Sequence, residues 1–167
     1  MFVDETKRQN YVLACAAFAP DNMARAREGV RGLLAPGQRF LHMKSETRRA
    51  SSILDGILSL NPRPTLYICR REPGATQVMQ RCHCLAALAR DSAANGVRSL
   101  TLDDADDAEK RRDRQVIAPI AHVLFAYEHR PSRMEPLLWV PDVLAWCHQR
   151  GGRLREAVVA VATIVDL

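Results

Sequence analysis

The chain has 167 residues, 47% of them hydrophobic and 26% charged, which is enough apolar material for one globular domain. We therefore expect a single domain over residues 1–167. The formal net charge is +5, and all but three of the 24 basic residues are arginines. Arginine suits phosphate recognition, so a nucleic-acid partner is favoured, although the composition bias of a GC-rich genome explains the same excess.

The targeting and cysteine patterns favour a cytoplasmic protein. The N-terminus lacks the basic region and apolar run of a secretory signal. The longest apolar stretch, residues 157–165, is too short to span a bilayer, so no membrane partner is expected. The five cysteines are scattered and odd in number, which is typical of reduced core residues in the cytoplasm.

The first part of the chain alternates between predicted strands and helices. A short apolar strand ends in the acidic pair Asp4–Glu5, and a polar turn separates it from an almost wholly apolar second strand. Helices are predicted after Asp21 and after Ser45, with a half-buried strand between them. A β-rich strand and a long helix that closes near Gly96 follow. The strands are placed at residues 1–5, 11–19, 39–44 and 65–69, the first consisting of Met1-Phe2-Val3 and its acidic end.

The second part of the chain continues the alternation. A strand again ends in acid, at Asp103, before a charged helix and a further strand. Pro136 or Pro141 opens the next helix, and the last segment is predicted as a helix although its β-branched residues also suit a strand. These segments are placed at residues 97–102, 105–119, 122–127 and 154–165. The order predicts an α/β fold, and the early hairpin predicts a mixed sheet flanked by helices.

Three aspartates stand out because of where they fall. Asp4 and Asp103 each end a predicted strand, and Asp142 lies at the start of a late helix. Carboxylates that converge at one sheet edge suit Mg²⁺ or Mn²⁺, which prefer oxygen ligands. Two such ions activate water and stabilise the leaving oxygen in phosphodiester cleavage. Aspartate is also common in turns at strand ends, so each position has a purely structural explanation as well.

Three short segments resemble the RNase H-like superfamily, and more narrowly a group of bacterial proteins whose first strand ends in Asp-Glu-Ser. They are Val3–Thr6, Leu41–Glu46 and Glu135–Asp142. Thr6 replaces the serine. The resemblance implies that Asp4, Asp103 and Asp142 hold the metal and act in catalysis. It also implies that Glu46 is a further catalytic acid and that the chain is a metal-dependent nuclease, although members of the superfamily need not be active.

Four basic side chains are candidates for substrate contact. His42 and Lys44 alternate out of one face of their predicted strand, where they would contact a phosphate or assist proton transfer. Arg111 and Arg112 belong to a basic run that would follow a phosphate backbone. A solvated strand face and a solvated helix explain the same patterns. Glu5 is expected to point away from Asp4, because side chains alternate along a strand.

Other kinds of site are disfavoured. Cys82, His83 and Cys84 are closer in sequence than paired zinc ligands usually are, and no second pair exists elsewhere. The sequence has no Gly-Lys-Ser/Thr phosphate loop. A small-molecule enzyme of Rossmann-like topology would need a glycine turn after the first strand, where residues 4–7 read Asp-Glu-Thr-Lys.

The chain is therefore predicted to be a metal-dependent phosphodiesterase that acts on nucleic acid, with Mg²⁺ or Mn²⁺ as its cofactor. The alternative is an RNase H-like domain without catalysis that binds nucleic acid or protein. Convergence of the acidic side chains within roughly 5 Å, together with metal binding, would support the enzyme, whereas dispersed carboxylates would exclude it.

Overall fold

The computed structural model of the chain describes residues 1–7, 10–121 and 125–167. Six strands form one sheet: β1 (Phe2–Thr6), β2 (Tyr11–Ala17), β3 (Arg63–Cys69), β4 (Ser99–Asp103), β5 (Ala126–Arg130) and β6 (Thr163–Asp166). The α-helices are α1 (Met23–Arg31), α2 (Ala50–Ser59), α3 (Gln77–Ala94), α4 (Asp107–Ala121), α5 (Trp139–Arg150) and α6 (Gly152–Val159). Short 3-10 helices at Pro20–Asn22 and Pro136–Leu138 lead into α1 and α5. Within the described residues, every helix is too short or too polar to cross a bilayer.

The strand order of the sheet is β5-β4-β1-β2-β3-β6. β2 runs antiparallel to both of its neighbours, and the other pairs are parallel. All strands except β2 therefore end at the same side of the sheet, which we call the carboxyl edge. The prediction of an α/β fold with a mixed sheet flanked by helices is confirmed.

The pleat of the sheet divides the apolar residues between two cores. Alternate side chains of β1 and β2 face opposite sides, so Phe2 and Ala14 pack on one side while Val3 and Leu13 pack on the other. Helices α1, α2, α5 and α6 cover the first core, and α3 and α4 cover the second. Residues 11–16 are buried throughout, which explains why β2 is apolar without alternation.

The first strand is longer than predicted. β1 continues through the acidic pair to Thr6, because β2 pairs with it along its whole length, including Asp4 with Ala14 and Glu5 with Leu13. The strand that was predicted to end in the acidic pair therefore extends one residue beyond it. Because β1 extends beyond Asp4, this residue lies within a hydrogen-bonded pair of strands and not in a turn.

The predicted strand at residues 39–44 is also wrong. Here the chain turns, with backbone N–H groups of Ser45 and Glu46 donating to the carbonyl oxygens of His42 and Met43. The next strand in the chain, β3, is already paired with β2 on one side and β6 on the other, so residues 39–44 cannot pair with β3. The predicted alternation of buried and exposed side chains is nevertheless found, since Leu41 is buried and His42 is exposed. Because the turns continue past Ser45, α2 begins only at residue 50.

Two C-terminal segments differ in placement. The predicted strand at 122–127 is found as β5 at Ala126–Arg130, and residues 122–124 of that prediction lie outside the described residues. The predicted helix at 154–165 is divided into α6 and β6, so the helix and the strand that the sequence allowed are both present. β6 forms because its β-branched residues pair in parallel with β3 at the sheet margin.

Candidate functional site

The three predicted aspartates line one cavity of about 420 Å³ at the carboxyl edge, which we call the acidic cavity. Asp4 comes from β1, Asp103 is the last residue of β4, and Asp142 lies in the first turn of α5. Three separate elements thus deliver one carboxylate each. The basic and aromatic residues of the cavity wall are Lys7, Phe40, His42, Lys44, Trp139 and Trp146.

Each of the three carboxylates accepts a backbone hydrogen bond, and those of Asp4 and Asp103 come from near the ends of β1 and β4. The Glu5 N–H donates to Asp4 Oδ1 at 2.7 Å. Asp103 Oδ1 accepts from the N–H groups of Asp104 and Ser132, each at 2.9 Å. Asp103 therefore has one oxygen bound to the protein backbone at two points, and its orientation is fixed.

Helix α5 positions the third carboxylate. Asp142 accepts a hydrogen bond from the Met43 backbone N–H, and His42 Nδ1 lies 3.9 Å from Asp142 Oδ2. Trp139 Nε1, on the same helix, donates to the Ser132 carbonyl oxygen at 2.9 Å. Since Ser132 also binds Asp103, this short segment joins α5 to the end of β4.

Burial and mutual repulsion raise the pKa values of these carboxyls. The pKa of Asp4 lies well above its ordinary value, first because of burial and then because of the negative charges of Asp142, Glu5 and Asp103. Burial also raises the pKa of Asp142, against the nearby positive charge of His42 and with a contribution from Asp103. The pKa of Asp103 is raised by burial too, although its backbone hydrogen bonds oppose the shift. The acidic cavity thus concentrates negative charge that a cation would relieve.

Glu5 turns away from Asp4, as the alternation predicts, into a buried ionic network on the other side of the sheet. Glu5 Oε2 lies 2.6 Å from Arg81 Nη1 of α3, and Arg81 forms a two-point pair with Asp113 of α4 at 2.8 and 2.7 Å. Arg81 also donates to the Tyr11 hydroxyl, and His129 Nε2 lies 2.9 Å from Asp113 Oδ2. Glu5 still contributes to the wall of the acidic cavity.

The other predicted site residues fall into two groups. His42 and Lys44 line the acidic cavity as expected for substrate contact, though from a turn instead of a strand. Glu46, Arg111 and Arg112 do not line it. The Glu46 carboxylate is buried and accepts hydrogen bonds from Gln38 and Arg49, while the two arginines lie along α4. The roles of these residues stay predictions, and the geometry gives no support to Glu46 as a ligand.

The sequence prediction did not include several residues of the cavity wall, among them Lys7, Phe40 and Ser132. Lys7 and Phe40 lie in connecting segments, and Ser132 contributes through its backbone. An exposed aromatic residue such as Phe40, two residues before His42 in a polar segment, is a signal that would have suggested it. Ser132 carries no such signal, because any residue provides a backbone N–H.

The donor chemistry of the cavity fits a hard divalent cation, since three carboxylates face the same space. Within residues 1–7, 10–121 and 125–167, however, no three His, Cys, Asp or Glu side chains stand close enough to hold a metal as they are. Like charges repel, so carboxylates without a cation separate. Metal binding would therefore require the side chains to move together.

Comparisons with known proteins support the fold alone. No family model and no curated protein matches the sequence. Among solved structures, the chain is similar to RNase HII from Archaeoglobus fulgidus, known from its complex with PCNA. The TM-score is 0.57, and the match covers 87% of this chain and 70% of that one at 16% identity. The predicted RNase H-like fold is supported at this coarse level, and the narrower resemblance to bacterial proteins stays a prediction.

Proposed function

We propose that the chain is a divalent-metal-dependent phosphodiesterase that cleaves nucleic acid in the acidic cavity. The observation that carries this proposal is the convergence of Asp4, Asp103 and Asp142, from three separate elements, on one cavity in which each has a raised pKa. A fold needs no such concentration of like charge for its stability, so the arrangement favours a cation-binding role. The fold shared with RNase HII is consistent with nucleic acid as the substrate.

In this mechanism the three aspartates would hold Mg²⁺ or Mn²⁺. The cation would supply Lewis-acid stabilisation of the phosphoryl oxygens and acidify an attacking water. The protein fixes Asp103 through two backbone N–H groups and places Asp142 on a helix packed in the core, so two carboxylates approach from rigid supports. Asp4 supplies the third carboxylate from β1, which is paired with β2.

The basic side chains of the cavity wall would receive the substrate. Lys44 is exposed and adds positive charge beside the carboxylates, where it would contact a non-bridging phosphate oxygen. His42 lies beside Asp142 and is half-exposed, so it can reach the scissile phosphate and donate a proton to the leaving oxygen. Phe40 is 53% exposed at the same wall and offers a face for base stacking.

The test is a cleavage assay with labelled single- and double-stranded DNA and RNA in Mg²⁺, in Mn²⁺ and in EDTA. We expect metal-dependent cleavage by the wild type. Asp4→Asn keeps the side-chain size but removes the charge, so its rate should fall about 100-fold or more, the scale of losing one principal charge-stabilising group.

Asp21→Asn is the matched control, because Asp21 is exposed in the 3-10 helix before α1 and does not line the acidic cavity. It should cleave at the wild-type rate. Cleavage that persists in Asp4→Asn would place the activity elsewhere or in a contaminant. Absence of cleavage on every substrate, with either metal, would overturn the enzymatic proposal.

The second candidate is an RNase H-like binding domain without catalysis. The observation that favours it is the separation of the acidic side chains, which in the described part of the chain form no ready metal site. Titration calorimetry with Mn²⁺ separates the two candidates. An enzyme should bind Mn²⁺ in wild type and lose it in Asp142→Asn, whereas the binding domain should show no such difference.

A further inference from the structure

A second, basic cavity lies at the carboxyl edge, on the far side of β2 from the acidic cavity. It has about 570 Å³, and its positive residues are Arg70 and Arg71, which follow β3, and Arg155 of α6. His148 of α5 also lines it. We call this the basic cavity. None of its residues was singled out by the sequence, and none belongs to the acidic cavity.

Three arginine side chains in the basic cavity are available for a ligand. Arg70, Arg71 and Arg155 are all exposed, and across the described residues their guanidinium groups make no ion pair or hydrogen bond. Among the described residues of the wall, Asp166 is the one acidic residue, so three positive charges face one negative charge there. This balance suits a polyanion, and arginine binds phosphate through paired N–H donors.

His148 adds a buried polar group to the same wall. It is 5% exposed, and its Nδ1 has no hydrogen-bond partner in the portion of the chain that the structure describes. Burial and the charge of Arg155 lower the pKa of His148. An unpaired buried nitrogen is costly, so a ligand that forms a hydrogen bond with His148 Nδ1 would relieve that cost.

The basic and acidic cavities both lie at the carboxyl edge. A smaller cavity of about 110 Å³, on the α3 side of the sheet beside Tyr11 and Gln80, borders Lys7 of the acidic cavity and Arg71 of the basic one. β1 and β3 are two strands apart, which corresponds to about 10 Å at the usual strand spacing of roughly 4.8 Å. About three stacked nucleotides, at roughly 3.4 Å each, span that distance.

We infer that the basic cavity is a phosphate subsite, which binds the backbone of a nucleic-acid strand about three nucleotides away from the acidic cavity. The inference rests on the proposed function for the identity of the bound polymer. It assigns Arg70, Arg71 and Arg155 to backbone binding and not to chemistry, because they lie too far from the aspartates to contact the reacting phosphate.

The test measures binding of a fluorescein-labelled 12-nucleotide single strand, DNA or RNA, by fluorescence anisotropy in EDTA over a range of salt concentrations. The triple variant Arg70→Ala/Arg71→Ala/Arg155→Ala should bind about tenfold more weakly or worse at low salt. Each phosphate contact contributes about 0.7 to the salt slope for single strands, so the slope should fall by about 2.

The control removes the same charge from exposed arginines that do not line the basic cavity. These are Arg90, Arg98 and Arg153. Arg153 and Arg155 both lie on α6, so the single variant Arg153→Ala is a matched control for Arg155→Ala. All six side chains are exposed, and thermal unfolding checks that the variants stay folded.

The outcomes separate this inference from the proposed function. Weaker binding in the cavity variant than in the control supports the subsite even if no strand is cleaved, in which case only the enzymatic proposal fails. Equal binding by the cavity and control variants overturns the subsite even if Asp4-dependent cleavage is observed. Absence of binding to any strand by the wild type also overturns it.

Discussion

Half-buried Asp4 and fully buried Asp113 show how the same residue type serves opposite purposes. Asp4 faces other negative groups, so burial and repulsion raise its pKa. Asp113 is 1% exposed, and although burial alone would raise its pKa, its hydrogen bonds to Arg81 and His129 hold it below the ordinary value. The charge of Asp113 is therefore compensated by the fold, whereas the charge of Asp4 is left for a ligand.

Neutralising Asp4 should stabilise the protein in the absence of divalent metal. A carboxyl whose pKa is raised by folding binds its proton more tightly in the folded state, so stability is lost as pH rises from the unfolded value through the folded one. At pH 7 we expect Asp4→Asn to increase the free energy of unfolding by about 0.5–2 kcal/mol, the range of stabilising substitutions. Urea denaturation in EDTA measures this.

The pH dependence of this stabilisation tests whether it comes from the charge of Asp4. Below pH about 3.9, the unfolded value, wild-type Asp4 is protonated in both states, so the advantage of Asp4→Asn should disappear. A stabilisation that is the same at acidic and neutral pH, or a loss of stability at pH 7, would contradict the assignment of Asp4 to a repulsive site.

At the scale of elements, the ionic network around Arg81 ties α3 and α4 to the sheet. Arg81 belongs to α3, Asp113 to α4 and His129 to β5, while Glu5 extends the network to β1. These contacts replace apolar packing on one side of the carboxyl edge. Because Glu5 and Asp4 are neighbours on one strand, the network also restrains the strand that carries the proposed metal ligand.

Asp113→Asn should destabilise the fold by about 3 kcal/mol, because it leaves buried Arg81 with less than its full set of negative partners. The wild-type contribution is present above the unfolded pKa of Asp113 and is lost as pH falls through its depressed folded value. Chemical denaturation at pH 7 measures the loss, with exposed Asp55→Asn of α2 as the control. Equal stability of the two variants would show that the network is dispensable.

The order of elements and the convergence of Asp4, Asp103 and Asp142 on one cavity could be predicted from apolar periodicity and the placement of acids after strands. The length of β1 could not, because it depends on pairing with β2 across a turn. Residues 39–44 alternate like a strand, but no open sheet edge receives them. Arg81 and Asp113 lie 32 positions apart on different helices, so local pattern carries no sign of their pairing.

At the scale of the whole molecule, a chain with net charge +5 keeps an acidic cavity and a basic cavity on the same sheet edge. The fold makes this arrangement by ending five strands at that edge and running only β2 the other way. A polyanion that approaches the basic side would bring its phosphates towards carboxylates, which repel it unless a cation lies between them.

Divalent metal should therefore stabilise the whole fold. At a concentration one hundred times Kd, binding to the folded state contributes about 2.7 kcal/mol, and Tm should rise by several degrees. Differential scanning calorimetry with and without Mn²⁺ measures the rise, which should vanish in Asp142→Asn and persist in Asp21→Asn. The same rise in all three proteins would place the bound metal outside the acidic cavity.

The pairing of Asp4 with Ala14 and of Glu5 with Leu13 limits how the gene for this chain can change. A codon inserted between Phe2 and Asp4 would shift the strand by one position and exchange the faces of the two acids. Glu5, which now forms an ion pair with Arg81 and contributes only to the wall, would then direct its carboxylate into the acidic cavity. Asp4, with its shorter side chain, would be directed towards Arg81. Substitutions in β1 are therefore more tolerable than a single insertion, which would change both charged sites at once.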